Sequence, residues 1–303
     1  MVKDVQKEMR KKAQMCINEQ KKISFMKNDN INTQKNNEGL KEDKEMAQNY
    51  REPQIIFEGW TAPAGTGIIV TGAASGIGAA TCILAAQSGL KVAAWDMFAE
   101  GIQETISRAG EFGNNIKPIQ ADLGSDEAVD KAMQETLEFC KPLYLANVAG
   151  PKMLNSQWNF DEVIALALGM IHRVCLAFEA TKPGPGSAIV NVGALAGTFE
   201  AGGGLPWYAS AKAGITGYTK HQAVALKGEP RMNCVCPGGP IHTPRNHEAQ
   251  MGEEMQHLIS INPMGRAGRP EEEAAAIMFL LSPASSYVNG VILPVDGGLC
   301  QAR

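Results

Sequence analysis

Tyr208 and Lys212 open and close the run Tyr208-Ala209-Ser210-Ala211-Lys212. On a helix, residues four apart share one face. A lysine ammonium beside a phenol favours the phenolate and should draw its pKa down from about 10 toward working pH. Such a phenol donates a proton to a carbonyl oxygen as hydride arrives, or takes one from an alcohol in reverse.

A second group of residues offers a place for a dinucleotide. Thr71-Gly72-Ala73-Ala74-Ser75-Gly76-Ile77-Gly78 follows an apolar run and precedes a helical pattern. Gly72 permits a tight turn, Gly76 lets backbone approach a pyrophosphate, and Gly78 lets helix pack closely on strand. Ser75 and Ile77 lie between these glycines. The helix start then offers N–H groups and a positive dipole end to phosphate. The next apolar run, KVAAW, ends at Asp96 and is followed by Met97. A carboxylate there binds adenosine ribose hydroxyls and repels a 2′-phosphate. No Lys or Arg lies within 72–78 or directly after Asp96. NAD(H) is therefore expected over NADP(H).

These residues need a scaffold, and the hydrophobic pattern supplies one. Apolar runs at 67–71, 91–95, 115–120, 143–148, 187–192, 232–236 and 291–295 alternate with Ala-rich helical segments. Continuous apolar runs between helices predict βαβ units and a parallel sheet covered on both faces. The expectation is one α/β domain over residues 54–303, a doubly wound parallel sheet of the Rossmann type. Residues 1–53 are polar and rich in Lys, Glu, Asn and Gln. They read as a flexible or partly helical extension, or as an arm docking on a neighbouring subunit, with Met26 or Met46 as an alternative start.

Composition narrows the rest. The 303 residues are 44% hydrophobic and 20% charged, with net charge −4. A basic nucleic-acid footprint is absent from the chain as a whole. The sequence reads as lacking an apolar run of about 18 residues, so no membrane span is expected. The charged start lacks the apolar stretch of a signal peptide and points to the cytoplasm. The seven cysteines are irregularly spaced and read as reduced thiols. Cys234 and Cys236 alternate along a strand without zinc-clip spacing, and His242 with His247 is off by one from a helical ligand pair. No metal is expected. Cys300 reads as a surface or subunit-contact residue.

From about Gly67 to Gly298 the chain resembles the short-chain dehydrogenase/reductase family. The glycine turn matches TGxxxGxG and the Tyr–Lys run matches YxxxK. Asp122-Leu123 matches the pair that brackets the adenine. Asn147-Val148-Ala149-Gly150 resembles NNAG. Cys236-Pro237-Gly238 through Ile241 to Thr243 resembles the PGxxxT segment near the nicotinamide. Asn262-Pro263, the stretch 268–272 and Val295-Asp296-Gly297-Gly298 are also similar to the family. The resemblance implies a sheet of about seven strands, a homotetramer, and a lysine that also binds the nicotinamide ribose. Two positions depart from it. The usual serine falls on Ala194, or on Gly193 if the loop is shifted, and the usual asparagine on Ala167. Losing one such hydrogen bond costs about 10²–10³ in rate. Thr198, Ser156, Asn155 and His242 are candidate substitutes.

The family's substrate segments offer Pro151, Met153, Leu154, Trp158, Gly202, Gly203, Gly204, Leu205, Trp207 and the span 245–261. That span carries Met251, Met255, Leu258 and Ile259 and reads as an amphipathic lid. The implied activity is an NAD(H)-dependent oxidoreductase acting on a bulky apolar small molecule such as a steroid. The long N-terminal segment is similar to that of bacterial 20β-hydroxysteroid members. A sugar or polyol dehydrogenase, a ketoacyl reductase, an isomerase and an NAD(H)-binding protein without turnover stay open.

Overall fold

The computed structural model describes residues 60, 62–151, 159–200, 205–243 and 252–302, within a compact unit spanning Ile55–Arg303. The expectations placed on residues 1–53, Met153, Leu154, Asn155, Ser156, Trp158, Gly202, Gly203, Gly204, Arg245, His247 and Met251 lie outside the described residues.

Seven parallel strands form one sheet in the order β3-β2-β1-β4-β5-β6-β7. They are β1 Thr66–Thr71, β2 Lys91–Asp96, β3 Ile116–Gln120, β4 Lys141–Asn147, β5 Ala188–Val192, β6 Arg231–Pro237 and β7 Ile292–Val295. Each lies within two residues of its expected run. The chain builds outward from β1 to β3 and then recrosses to β4, so β1 and β4 flank the switch point. In open parallel sheets the crevice beyond the strand ends at that point takes the ligand.

Alternation along the strands feeds two cores. Ile68, Val70, Val92 and Ala94 face one side; Ile69, Ala93 and Trp95 face the other. The helices are α1 Gly76–Gln87, α2 Ala99–Arg108, α3 Asp126–Phe139, α4 Phe160–Ala180, α5 Pro206–Ala225, α6 Glu253–Ile261 and α7 Pro270–Leu281. Helices α1 and α7 cover the first side with Leu84, Ile277 and Met278, while α3, α4 and α5 cover the second with Val129, Val174 and Ile215. Full burial of each such side chain contributes about 1.5–3 kcal/mol. The buried Trp95 indole donates to Thr136 Oγ1 at 3.0 Å, so its polar atom is satisfied.

Two features correct or extend the sequence reading. First, α4 is long and apolar enough to cross a membrane by length and composition, which the sequence reading did not foresee. Its apolarity has a local use. Val163, Ala167, Ile171, Val174, Cys175 and Phe178 recur at helical spacing and are buried against the sheet and α5. Second, Arg231 at the start of β6 is buried. Its guanidinium donates to the carbonyls of Leu280 (3.1 Å), Val288 (3.0 Å), Leu281 (3.4 Å) and Ser282 (3.3 Å). A cation there caps the C-terminus of α7, where the helix dipole is negative.

Candidate active site

The glycine turn joins β1 to α1 where the sequence placed it. Gly72 has φ +71°, and a Cβ on it would meet Ala149 N at 2.9 Å. A Cβ on Gly78 would stand 2.0 Å from Gly72 O, so α1 leaves the strand at a distance only glycine allows. Gly76 lies under Thr243, whose Cγ2 would be 3.3 Å from an added Cβ. The segment after β6 is thereby brought over the phosphate turn. Ser75 is the N-cap in an extended conformation, with no side-chain cap and no acidic residue in the first helical turn. The leading N–H groups of a helix have no intrahelical acceptor, so this uncapped end suits an anion. Ile77 is half-buried against the core.

Thr71, the residue before Gly72, ties the two sides of the crevice. Its hydroxyl accepts hydrogen bonds from the N–H groups of Val148 (3.0 Å) and Ala149 (3.1 Å) beyond β4. Sequence reasoning placed Thr71 at the end of a strand and the head of the glycine segment, but gave its hydroxyl no part. Asp96 ends β2 at the same rim. Its two carboxylate oxygens accept from Ala74 N and Phe98 N, both at 3.0 Å. The carboxylate is thus anchored to the glycine turn while remaining partly exposed. Met97 beside it is 53% exposed. Asp122 holds its own turn by accepting from Gly124 N at 2.8 Å, and Leu123 is buried.

Asn147 sits at the floor with its side chain turned inward. Its amide donates to Asn191 Oδ1 (3.0 Å) and Cys175 Sγ (3.4 Å), and Asn191 in turn donates to Thr219 Oγ1 at 3.0 Å. That buried relay of amides locks β4, β5 and α5 together and leaves Ala149 and Gly150 to line the crevice. Gly150 faces Lys212, since an added Cβ would lie 3.8 Å from the Lys212 Nζ.

Tyr208 and Lys212 lie in the first turns of α5, on one face as their spacing requires. Lys212 Nζ donates to Val192 O at 2.9 Å, at the end of β5, and stands 5.8 Å from the Tyr208 ring centroid. Trp207 was expected to border substrate. It is buried, and its ring meets that of Tyr208 edge-on at 5.8 Å and 80°, so it braces the tyrosine. Leu205 and Pro151 are half-buried at the same rim.

The β5 loop explains one missing serine. A Cβ on Gly193 would lie 2.8 Å from Cys236 Sγ and 3.0 Å from Cys234 Sγ. The shifted reading that would have put a serine at 193 is closed by those sulfurs. Ala194 and Ala167, at the two departures, are both buried. Beyond Ala194 the loop folds on itself: Thr198 N, Phe199 N and Glu200 N all donate to Leu195 O. Thr198 Oγ1 is buried there without a hydrogen-bond partner among the described residues. His242 is exposed, held through its N–H by Gly268 O at 2.8 Å.

Pro237 ends β6, and Gly238 follows in close contact. An added Cβ would fall 2.2 Å from Leu195 Cδ1 and 2.5 Å from Asp296 Cβ. Ile241 is buried and bridges Gly268. Asn262 donates to Asp296 O (2.9 Å) and accepts from Met264 N (2.9 Å), which fastens the last two sequence motifs beneath this segment. Cys234 and Cys236 are free thiols 3.9 Å apart. The hydrogen bond between them holds the Cys236 thiol below its ordinary range and, with burial, pushes Cys234 up. Cys300 is half-buried against the core rather than simply exposed. No group of three or more potential metal ligands occurs among the described residues.

The comparisons with known proteins agree with this geometry. A protein-family model described as enoyl-(acyl carrier protein) reductase matches residues 72–300. The chain is 33% identical over 241 residues to a 3-oxoacyl-[acyl-carrier-protein] reductase of Thermotoga maritima, covering 76% of this chain and 96% of that protein. It is also 33% identical over 241 residues to galactitol 2-dehydrogenase (L-tagatose-forming) of Cereibacter sphaeroides, covering 76% and 92%. Among solved structures it is similar to an NAD(P)-dependent gluconate 5-dehydrogenase, so named provisionally, of Beutenbergia cavernae with NADP bound at low occupancy. That likeness has TM-score 0.71 and 27% identity over 80% of this chain and 100% of that one.

Proposed function

Because the chain belongs to the short-chain dehydrogenase/reductase family, whose members are NAD(P)(H)-dependent oxidoreductases, we propose that it interconverts a ketone and a secondary alcohol with NAD(H), using Tyr208 as acid and base. The observation that carries this reading is the placement of Lys212. Its Nζ hangs from Val192 O, faces Gly150, and stands 5.8 Å from the Tyr208 ring at the mouth of the switch-point crevice.

The crevice fits a dinucleotide by its own geometry. The glycine contacts leave no room for side chains, and the uncapped end of α1 suits a pyrophosphate. The N–H groups of Gly76, Ile77 and Gly78, with Ser75, would hold the phosphates above the tight turn at Gly72. Asp96 would take the adenosine ribose, and Met97, Asp122 and Leu123 would serve the adenine. Asn147 supports Ala149 and Gly150, which with Lys212 would serve the second ribose. Pro237, Gly238, Ile241 and Thr243 would serve the nicotinamide end. NAD(H), when bound, supplies or accepts the hydride at the substrate carbon. NAD(H) is preferred to NADP(H) because Asp96 is pinned at the rim by two backbone N–H groups. A carboxylate so anchored opposes a 2′-phosphate.

In the reducing direction the Tyr208 hydroxyl proton passes to the carbonyl oxygen. The Lys212 charge stabilises the phenolate left behind, and the Val192 carbonyl fixes that charge in place. No serine hydroxyl stands at 193 or 194 to orient the carbonyl. We assign that part to Thr198, whose buried hydroxyl lies in the same loop and has no hydrogen-bond partner among the described residues; such a group in a native fold calls for a ligand or water. The substrate is placed as a bulky apolar ketone or alcohol such as a steroid. The half-buried Met255, Leu258 and Ile259 of α6 support this class. The homotetramer is carried by α4 and α5, which pack on one another and expose Leu176 (50%) and Val224 (79%). Light scattering at about four times the chain mass tests it.

A second reading has a specific observation behind it: Ala167 and Ala194 are buried apolar groups where polar ones are expected. That reading is an NAD(H)-binding protein without turnover. Oxidation of NADH followed at 340 nm against steroids, sugars and ketoacyl thioesters separates the two. Turnover with one class supports the oxidoreductase and names its substrate. Tight NADH binding with no turnover across the panel supports the second reading.

A further inference from the structure

Helix α7 turns Glu273, Ala274, Ile277, Met278, Leu280 and Leu281 into the core. Five of these are apolar and one is a carboxylic acid. Glu273 is 1% exposed, and its Oε2 has no hydrogen-bond partner among the described residues. It lines a cavity of about 120 Å³ shared with Gly238, Ile241, Asn262 and Asp296. That volume exceeds the roughly 10–15 Å³ that one water needs. Gly238 and Ile241 belong to the segment that would serve the nicotinamide end under the proposed function. The acid therefore forms a wall behind the cofactor's cradle, on an element that never reaches the crevice.

The surroundings of Glu273 are acidic. Glu272 on its own helix, Cys236 on β6 and Asp296 after β7 all disfavour a charge there, beyond the cost of burial itself. The cation lining the cavity, Arg266, is held by Glu272 through bonds of 2.9 and 2.6 Å. Helix α1, packed against α7, carries Cys82 as its one titratable side chain. On β4, Tyr144 interacts with Arg231. Arg269, at the start of the same helix, also bonds Glu272, at 3.5 Å, and among the described residues no cation bonds Glu273. A buried carboxylate without a partner costs several kcal/mol, so the site must hydrate or open when the proton leaves.

We propose that Glu273 is a positioning residue for the cofactor: as a neutral acid it packs behind Gly238 and Ile241, and its ionisation floods the cavity, loosens the 238–243 segment and weakens NAD(H) binding. The inference rests on the cofactor reading of that segment.

The test is NADH binding by fluorescence titration between about pH 6 and pH 10, with KM and kcat measured in parallel. The proteins are wild type, Glu273→Gln, Glu273→Met and Cys236→Ser. In the wild type the Kd and KM for NADH rise about tenfold per pH unit above a break point, as binding linked to one proton requires, while kcat at saturating NADH holds. Glu273→Gln and Glu273→Met are flat through that break, and either one suffices if the other fails to fold. Cys236→Ser keeps the wild-type break. A wild type flat in pH, a break surviving in both Glu273 variants, or a break abolished by Cys236→Ser overturns the inference alone. Absence of NADH binding by all four proteins at every pH overturns it together with the cofactor reading.

Discussion

Returning a serine to the β5 loop should succeed at one position and fail at its neighbour. At Gly193, a Cβ would sit 2.8 Å from Cys236 Sγ and 3.0 Å from Cys234 Sγ, with Thr216 Cγ2 at 3.5 Å. Ordinary contacts between such atoms fall near 3.5–4.0 Å. Both sulfurs lie on a buried central strand and have little freedom to retreat. Overpacking of that kind costs about 1–3 kcal/mol. For a domain of this size each kcal/mol moves Tm by about 2–4 °C. Gly193→Ala should therefore lower Tm by about 2–12 °C. Adding Cys234→Ala and Cys236→Ala should recover most of that loss, because the three residues share one space. Ala194→Ser, by contrast, should fold and raise kcat, by less than the 10²–10³ that one donor to a developing oxyanion is usually worth, because Thr198 already serves that part. Calorimetry and steady-state kinetics on the four proteins decide the matter. A Gly193→Ala protein as stable as wild type, or one not rescued by the double cysteine change, would refute the packing argument. An unchanged kcat in Ala194→Ser would refute the placement of the carbonyl.

Other changes probe separate parts of the molecule. Arg231→Met removes four bonds to buried carbonyls and the cap of α7, so stability should fall by about 3–5 kcal/mol, read from urea midpoints. Asp96→Ser should weaken NADH binding by about tenfold and improve NADPH binding, narrowing the ratio of their Kd values. Thr198→Val should lower kcat by about 10²-fold with NADH affinity unchanged. Bidentate bonding to Arg266 holds the Glu272 carboxyl down at about 2. A depressed carboxylate adds stability above its unfolded value of about 4.3 and loses it as pH falls toward the folded value. Arg266→Met should therefore flatten the fall in Tm between about pH 4.5 and pH 2, measured by thermal melts across that range.

Much of this architecture was legible before any coordinates. Parallel strands buried on both faces cannot hide their composition, so runs such as 67–71 and 232–236 declared themselves. The glycine turn was legible because its spacing is local and Gly78 meets the backbone of Gly72, whereas the contact of Gly72 with Ala149 needed β4 in place. The Tyr208–Lys212 face followed from helical spacing alone. What escaped depends on contacts between distant elements. Gly193 stays open as the alternative serine position until the sulfurs of β6 are placed against it. Nothing beside Arg231 in the sequence marks it as buried, because the α7 carbonyls that hold it lie 49 to 51 residues further along the chain. Glu271-Glu272-Glu273 reads as a solvated first turn, since nothing local says that Glu273 alone rotates into the core. The apolarity of α4 was underestimated because Arg173 and Glu179 interrupt 163–180 as a continuous run, although the helix as a whole stays strongly apolar.

The central claim is that Tyr208 moves the proton while the dinucleotide site binds independently of it. Tyr208→Phe keeps the ring against Trp207 and Lys212 and removes only the hydroxyl. Turnover of NADH at 340 nm with the best ketone of the panel, measured beside an NADH titration, tests the claim directly. The account predicts a loss of turnover of about 10²-fold or more and an NADH Kd within about twofold of wild type. A Tyr208→Phe protein that turns over at the wild-type rate would contradict it.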